Sequence, residues 1–248
     1  MGLLLAIFRV GAYLLVFGIF LIIGLLGNAL FFMSRSILLK WIAYFSQYWA
    51  RVTCWVLNIQ IKVVGDLNID SGSMIVANHV GSPDVFILGS YFKGFFVSKL
   101  EIATWPLFSW LARLGLTVFA DRNKRHQVKS IIKEISERLR GNHHVILFPE
   151  GQATDGMDVV PFKSSIFEAV VQTSRCVIPV VIKYHDGNKP TIAFYGENFL
   201  SHIFKLLKVT RLEATVKVLP SIPAGLNRQE LAEKSYQAIN EEVKTQTS

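Results

Sequence analysis

Hydrophobic positions along this chain fall into runs of different period, and each run predicts an element. From Val10 to Ser34 no residue is charged, and most are Leu, Ile, Phe, Val, Gly or Ala. About 20 such residues suffice for a helix to cross a bilayer, so the run predicts a membrane anchor. It is too long for the apolar part of a signal peptide and lacks a small-x-small cleavage site. The next stretch, ILLKWIAYFSQYWARVTCWVL (Ile37 to Leu57), is aromatic-rich with Lys40 and Arg51 interspersed. It predicts an interfacial amphipathic helix or the second arm of a membrane hairpin, with a buried core helix as the alternative.

Beyond it, short apolar runs alternate with helical patterns. IQIKVVG predicts a strand ending in a glycine turn, and MIVA (Met74 to Ala77) a buried strand. Ser82, Pro83 and Asp84 then read as the N-cap, first position and first-turn acid of a helix. GFFVS and LTVFA predict further strands. Val128, Ile131, Ile132, Ile135 and Leu139 share one helical face that Gly141 closes. HVILF, VIPVVI, TIAFY and ATVKVL add strands, and Asn227 with Glu230 three residues on predicts a capped last helix near Arg228. The alternation predicts an α/β fold: an open, largely parallel or mixed sheet flanked by helices. The expected organisation is a membrane anchor with an interfacial helix over residues 1–58 and one α/β domain over 59–248.

Charge sharpens the membrane reading. The chain carries +8, and Arg9, Arg35, Lys40, Arg51 and Lys62 all precede the first acid, Asp66. A nucleic-acid binder would carry its basic stripe on the folded domain, so nucleic acid is not an expected partner. Cations beside an apolar span suit anionic head groups, and their bias to its carboxyl side puts the domain in the cytoplasm, on a single- or double-pass anchor. Cys54 and Cys176 are far apart and fit no metal or redox spacing.

The chain has no G-x-S-x-G elbow, P-loop, G-x-G-x-x-G or H-E-x-x-H. The adjacent His143 and His144 share no helical face, and no metal or cofactor is expected. What remains is polar residues just past apolar strands: His79 and Asp84 after MIVA, Asp121 and Arg122 after LTVFA, Glu150 and Gly151 after HVILFP. A parallel sheet brings such residues to one edge, where α/β proteins bind ligands. Each also has a plain explanation: Asp84 as a helix acid, Arg122 paired with Asp121, Glu150 as a solvated loop charge.

NHVGSPD contains the H-x-x-x-x-D motif, and in this the chain resembles the glycerolipid acyltransferase superfamily, which includes lysophosphatidic acid acyltransferases. Lys99 to Arg122, with Glu101, Pro106 and Gly115 between, resembles the second block. LFPEGQATDG resembles the third and VIPV, with Pro179, the fourth. Two positions depart from the pattern. The serine often found two residues after the histidine is Gly81 here, followed by Ser82, and Gln152 stands where threonine or serine is common.

The resemblance implies acyl transfer from acyl-CoA or acyl carrier protein to the hydroxyl of a lysophospholipid. Lysophosphatidic acid giving phosphatidic acid is the first expectation, lyso-ornithine lipid or another lyso-lipid the alternative, and a non-catalytic lipid-binding protein the rival outside enzymes. It implies His79 as general base, with Asp84 fixing its tautomer and stabilising the imidazolium; an Asn at 84 would then favour the wrong tautomer. Arg122, Glu150 and Gly151 are the expected acceptor-binding residues: Arg122 grips a phosphate, and Glu150 positions Arg122 or a hydroxyl. Asn78, Lys99, Phe148, Pro149 and Pro179 are expected in support. The expected location is the cytoplasmic side of a bacterial inner membrane.

Overall fold

The computed structural model describes residues 2–104, 108–120, 127–185, 192–194 and 199–245. Two long helices open the chain, α1 (Gly2–Phe31) and α2 (Arg35–Val56). They form a hairpin joined by aromatic pairs between its arms, such as Phe20 with Phe45 and Phe31 with Trp41. Along α2, Ile42, Ala43, Ala50, Thr53 and Cys54 are buried, while Tyr44, Tyr48 and Trp55 are exposed. The helix is therefore amphipathic, with one face packed in the protein and aromatic side chains on the other.

Among the described residues seven strands follow: β1 (Ile59–Val64), β2 (Met74–Ala77), β3 (Gly94–Lys99), β4 (Val118–Ala120), β5 (His144–Leu147), β6 (Val177–Tyr184) and β7 (Leu212–Val218). They form one sheet in the order β1-β7-β6-β2-β5-β3-β4, in which β6 and β7 pair antiparallel and the other neighbouring strands pair parallel. The helices between them are α3 (Pro83–Tyr91), α4 (Phe108–Leu114), α5 (Val128–Arg140), α6 (Glu168–Thr173) and α7 (Phe199–Lys208), and α8 (Arg228–Thr245) follows β7.

Strand β2 lies between β5 and β6, and all four of its residues are fully buried. Ile75 and Ala77 pack with Ile87 and Leu88 of α3, while Met74 and Val76 pack with Ile135 and Leu139 of α5 and Ile239 of α8. A strand covered on both faces needs apolar residues at every position, which is why MIVA shows no alternation.

Two local expectations change. Ser82 makes no side-chain cap for α3; its hydroxyl contacts His202 instead. TIAFY is no strand in its described part, residues 192–194. That segment crosses the loop after β2, and the Phe194 N–H donates to the Val80 carbonyl. The cap of α8 forms as expected: Asn227 accepts from the N–H groups of Gln229 and Glu230, and Glu230 accepts from that of Asn227.

The hairpin lies against the domain at both ends. Arg9 donates to the carbonyl oxygens of Leu57, Leu207, Val209 and Thr210, at the ends of α2 and α7. Near the turn of the hairpin, Arg35 pairs with Glu137 of α5 at 3.2 Å. Gln47 and Arg51 of α2 donate to the carbonyls of Tyr91 and Ser90, satisfying acceptors at the end of α3 that the helix leaves open. Helix α1 is long and apolar enough to cross a membrane, and it exposes Leu4, Phe8, Leu15, Ile22, Leu26 and Leu30.

Candidate active site

The site grows from the carboxyl end of β2. Asn78, the next residue, extends the pairing to β6 through its side chain: its amide donates to the Ile182 carbonyl at 2.9 Å and accepts from the Ile182 N–H at 2.8 Å. This pins the chain at the point where His79 leaves the sheet. The His79 N–H donates to Glu150 Oε1 at 2.7 Å, and its carbonyl accepts from the Thr154 N–H at 2.8 Å. The imidazole stacks on Phe148 at 4.2 Å between ring centres. Backbone and ring are thus both held by the loop after β5.

Asp84 is fully buried in the first turn of α3. Its Oδ2 accepts from the Val80 and Gly81 N–H groups at 2.6 and 2.9 Å and lies 2.7 Å from His79 Nδ1. Its Oδ1 accepts from the Tyr184 hydroxyl at 2.5 Å. An ionised carboxylate can only accept, so the hydrogen between the two residues sits on Nδ1 and Nε2 carries the lone pair. The chain Tyr184–Asp84–His79 therefore presents an oriented base.

Glu150 is buried rather than solvated. Its Oε2 accepts from the Val160 N–H at 2.8 Å while Oε1 holds His79. Burial pushes its carboxyl up to about 7, against the opposing effect of those two N–H donors. Gly151 follows with φ +77°, a conformation open to glycine at low cost, and its N–H donates to the Phe148 carbonyl. The Pro149 carbonyl accepts from Lys163, and Pro179 pairs with Val76 inside the sheet.

A cavity of about 470 Å³ opens beside the base. His79, Ser82, Phe148 and Gly151 line it, Lys99 and Glu101 reach it from the end of β3, and Trp49, Phe86, Phe96, Leu111 and Leu114 make it largely apolar. Of the expected residues, His79, Lys99, Phe148 and Gly151 thus meet on the cavity wall, while Asn78, Asp84 and Glu150 hold His79 from behind it. Arg122 and Asp121 lie outside the described residues. Among the described residues, no cluster of His, Cys, Asp or Glu is arranged to hold a metal ion.

The acyltransferase family profile matches residues 60–183, from β1 into β6. The chain belongs to the acyltransferase family. Its curated relatives include a lyso-ornithine lipid O-acyltransferase of Rhodobacter capsulatus, 36% identical over 65% of this chain and 60% of that protein. Another, of Pseudomonas aeruginosa, is 31% identical over 78% of this chain and 76% of its own length. Further relatives carry the name 1-acyl-sn-glycerol-3-phosphate acyltransferase. The fold matches the crystal structure of the lysophosphatidic acid acyltransferase PlsC of Thermotoga maritima, with a TM-score of 0.71 at 21% identity, over 100% of this chain and 96% of that one.

Tyr184 was not among the residues expected from the sequence. It ends an apolar strand running parallel to β2, so the strand-end reasoning that finds His79 applies to it equally.

Proposed function

We propose that the chain transfers an acyl group from acyl-CoA or acyl carrier protein to the free hydroxyl of a lyso-lipid, and that the acceptor is lyso-ornithine lipid. The observation that carries the transfer reading is the oriented base on the wall of an apolar cavity. His79 Nε2 takes the hydroxyl proton as the oxygen bonds to the thioester carbonyl carbon. Collapse of the tetrahedral intermediate expels the thiolate, which recovers the proton from the imidazolium. The products are an ester and a free thiol, and no protein nucleophile takes part. The apolar cavity suits an acyl chain, and Glu150 serves by fixing the His79 backbone. A lipid-binding protein would have no use for this base and its orienting carboxylate.

The matches to lyso-ornithine lipid acyltransferases support this acceptor. Lysophosphatidic acid is the second reading, favoured by Arg122 at the end of the second motif block and by the names of other relatives. Contact of the hairpin with the domain through both Arg9 and Arg35 supports a pose in which residues 1–58 lie along the cytoplasmic surface of a bacterial inner membrane. The exposed apolar side chains of α1 are then in lipid and the exposed cations of α2, such as Lys40, at the head groups.

The test is acylation by purified protein in mixed micelles, with each lyso-lipid and each donor. A higher kcat/KM for lyso-ornithine lipid is expected. Preference for lysophosphatidic acid selects the second reading, and transfer to neither refutes both.

A further inference from the structure

Ser82 lines the cavity beside His79, yet the chemistry of His79 and Asp84 gives it no task. Its Oγ lies 2.8 Å from His202 Nε2, and its backbone N–H donates to the same nitrogen at 3.2 Å. A ring nitrogen that accepts from an N–H presents its lone pair, so it carries no hydrogen. The Ser82 hydroxyl must then donate its own hydrogen to Nε2. Only its oxygen lone pairs remain for a ligand.

His202 is fully buried on α7, with the Phe194 ring 4.9 Å away. Full burial opposes the second imidazolium that a Ser–His nucleophile would require, so the pair is not a nucleophilic dyad. The neighbouring position explains why the hydroxyl stands at 82. A Cβ on Gly81 would lie 2.5 Å from the Ile192 carbonyl oxygen and 3.1 Å from His202 Cε1. The serine often found there in the family has no room in this chain.

An oxygen that only accepts discriminates sharply among ligand groups. Carboxylates, esters and thioesters offer no hydrogen at neutral pH, and a phosphate monoester keeps only a fraction of its last proton. The reacting hydroxyl commits its hydrogen to His79. An ammonium is poorly served by one neutral oxygen. A secondary amide N–H fits.

We propose that Ser82 is a substrate-binding residue that accepts a hydrogen bond from a secondary amide N–H, and that His202 is the positioning residue holding its hydroxyl in that state. The inference rests on the acyl-transfer reading. Two substrates carry such a group: the amide of an N-acylated ornithine and the pantetheine arm common to coenzyme A and acyl carrier protein. Lysophosphatidic acid has no N–H and serves as the control.

The experiment uses full-length wild type, Ser82→Ala, His202→Ala and His202→Gln in mixed micelles. KM is measured for both lyso-lipids and for acyl-CoA. Equilibrium binding of lyso-ornithine lipid and of a non-hydrolysable acyl-CoA thioether is measured alongside, since neither needs turnover. Ser82→Ala is expected to weaken one amide-bearing ligand by about 3- to 10-fold, the effect of one neutral hydrogen bond, with kcat changed less than about twofold. Weakening confined to lyso-ornithine lipid assigns the acceptor amide. Weakening of acyl-CoA and its thioether, with either acceptor, assigns the pantetheine amide.

His202→Ala should behave as Ser82→Ala. His202→Gln, whose side-chain oxygen can accept the hydroxyl, should recover most of the loss; if Gln is as impaired as Ala, the positioning role is overturned. Unchanged affinity for both amide-bearing ligands, or equal weakening of lysophosphatidic acid, overturns the assignment of Ser82. Failure to acylate any lyso-lipid would overturn the proposed function instead, while the binding measurements still decide the role of Ser82.

Discussion

Replacing Asp84 by Asn changes a charge at this site and little else. Two backbone N–H groups, of Val80 and Gly81, point at Oδ2 together with His79 Nδ1. An Asn amide nitrogen in that place would face two donors, so the Asn oxygen takes it. The amide nitrogen then faces the Tyr184 hydroxyl, whose oxygen can accept once its hydrogen turns away. The tautomer and orientation of His79 therefore survive the substitution. What is lost is the anion opposite the imidazolium that forms during attack. Two unit charges about 4 Å apart interact by about 4 kcal/mol at an effective dielectric of about 20. If the amide dipole recovers a quarter to half of this, the barrier rises by about 2–3 kcal/mol, a loss of about 30- to 160-fold. The assay is thiol release in single turnover with both substrates saturating, beside thermal unfolding of the same preparations. A purely structural Asp84 predicts an unchanged rate, with any effect confined to thermal unfolding. A rate within threefold of wild type would refute the reasoning.

Glu150 gives a prediction in pH. Its carboxyl, near 7 folded and near 4.5 ordinarily, binds more protons in the folded state between those values. Stability should fall as pH rises through that window and level above it, by about 3 kcal/mol at most from this group. Glu150→Gln should lose this slope, as denaturant unfolding at pH 5 and pH 8 would reveal; matching slopes in the two proteins would rule it out. Ala112→Phe places bulk in the cavity that Ala112 lines from α4. Displacing two to three buried methylenes costs about 2 kcal/mol, so kcat/KM for long-chain donors should drop about 30-fold relative to short ones. A donor length series checks this, and an unshifted preference would show that the chain lies elsewhere.

Strand ends made much of this site legible. His79 and Glu150 stand out because each polar residue follows an apolar run, and the sheet brings them together as parallel strands must. The partners of those residues were less visible, because they are set by contacts far apart in sequence. Ser82 reads locally as a helix cap, but His202, 120 residues on, takes its hydroxyl. Glu150 reads as an acceptor-binding carboxylate or, more plainly, a solvated loop charge, but it is buried and its two oxygens accept from the N–H groups of His79 and Val160. An Asn at 84 favours the wrong tautomer only until the Val80 and Gly81 amides are seen to fix its oxygen. Hydropathy reports that α1 is apolar but not how it lies. The turn of the chain that brings Arg9 to the carbonyls of Leu207, Val209 and Thr210 leaves no local pattern.

The central claim is that the imidazole of His79 removes the proton from a lyso-lipid hydroxyl. The most direct measurement compares wild type with His79→Ala, following ester product and free thiol in one reaction while donor binding is measured separately. The account predicts a fall of about 10²- to 10⁴-fold in both products, with donor affinity and folding unchanged. A variant that keeps more than about a tenth of the wild-type rate would contradict it.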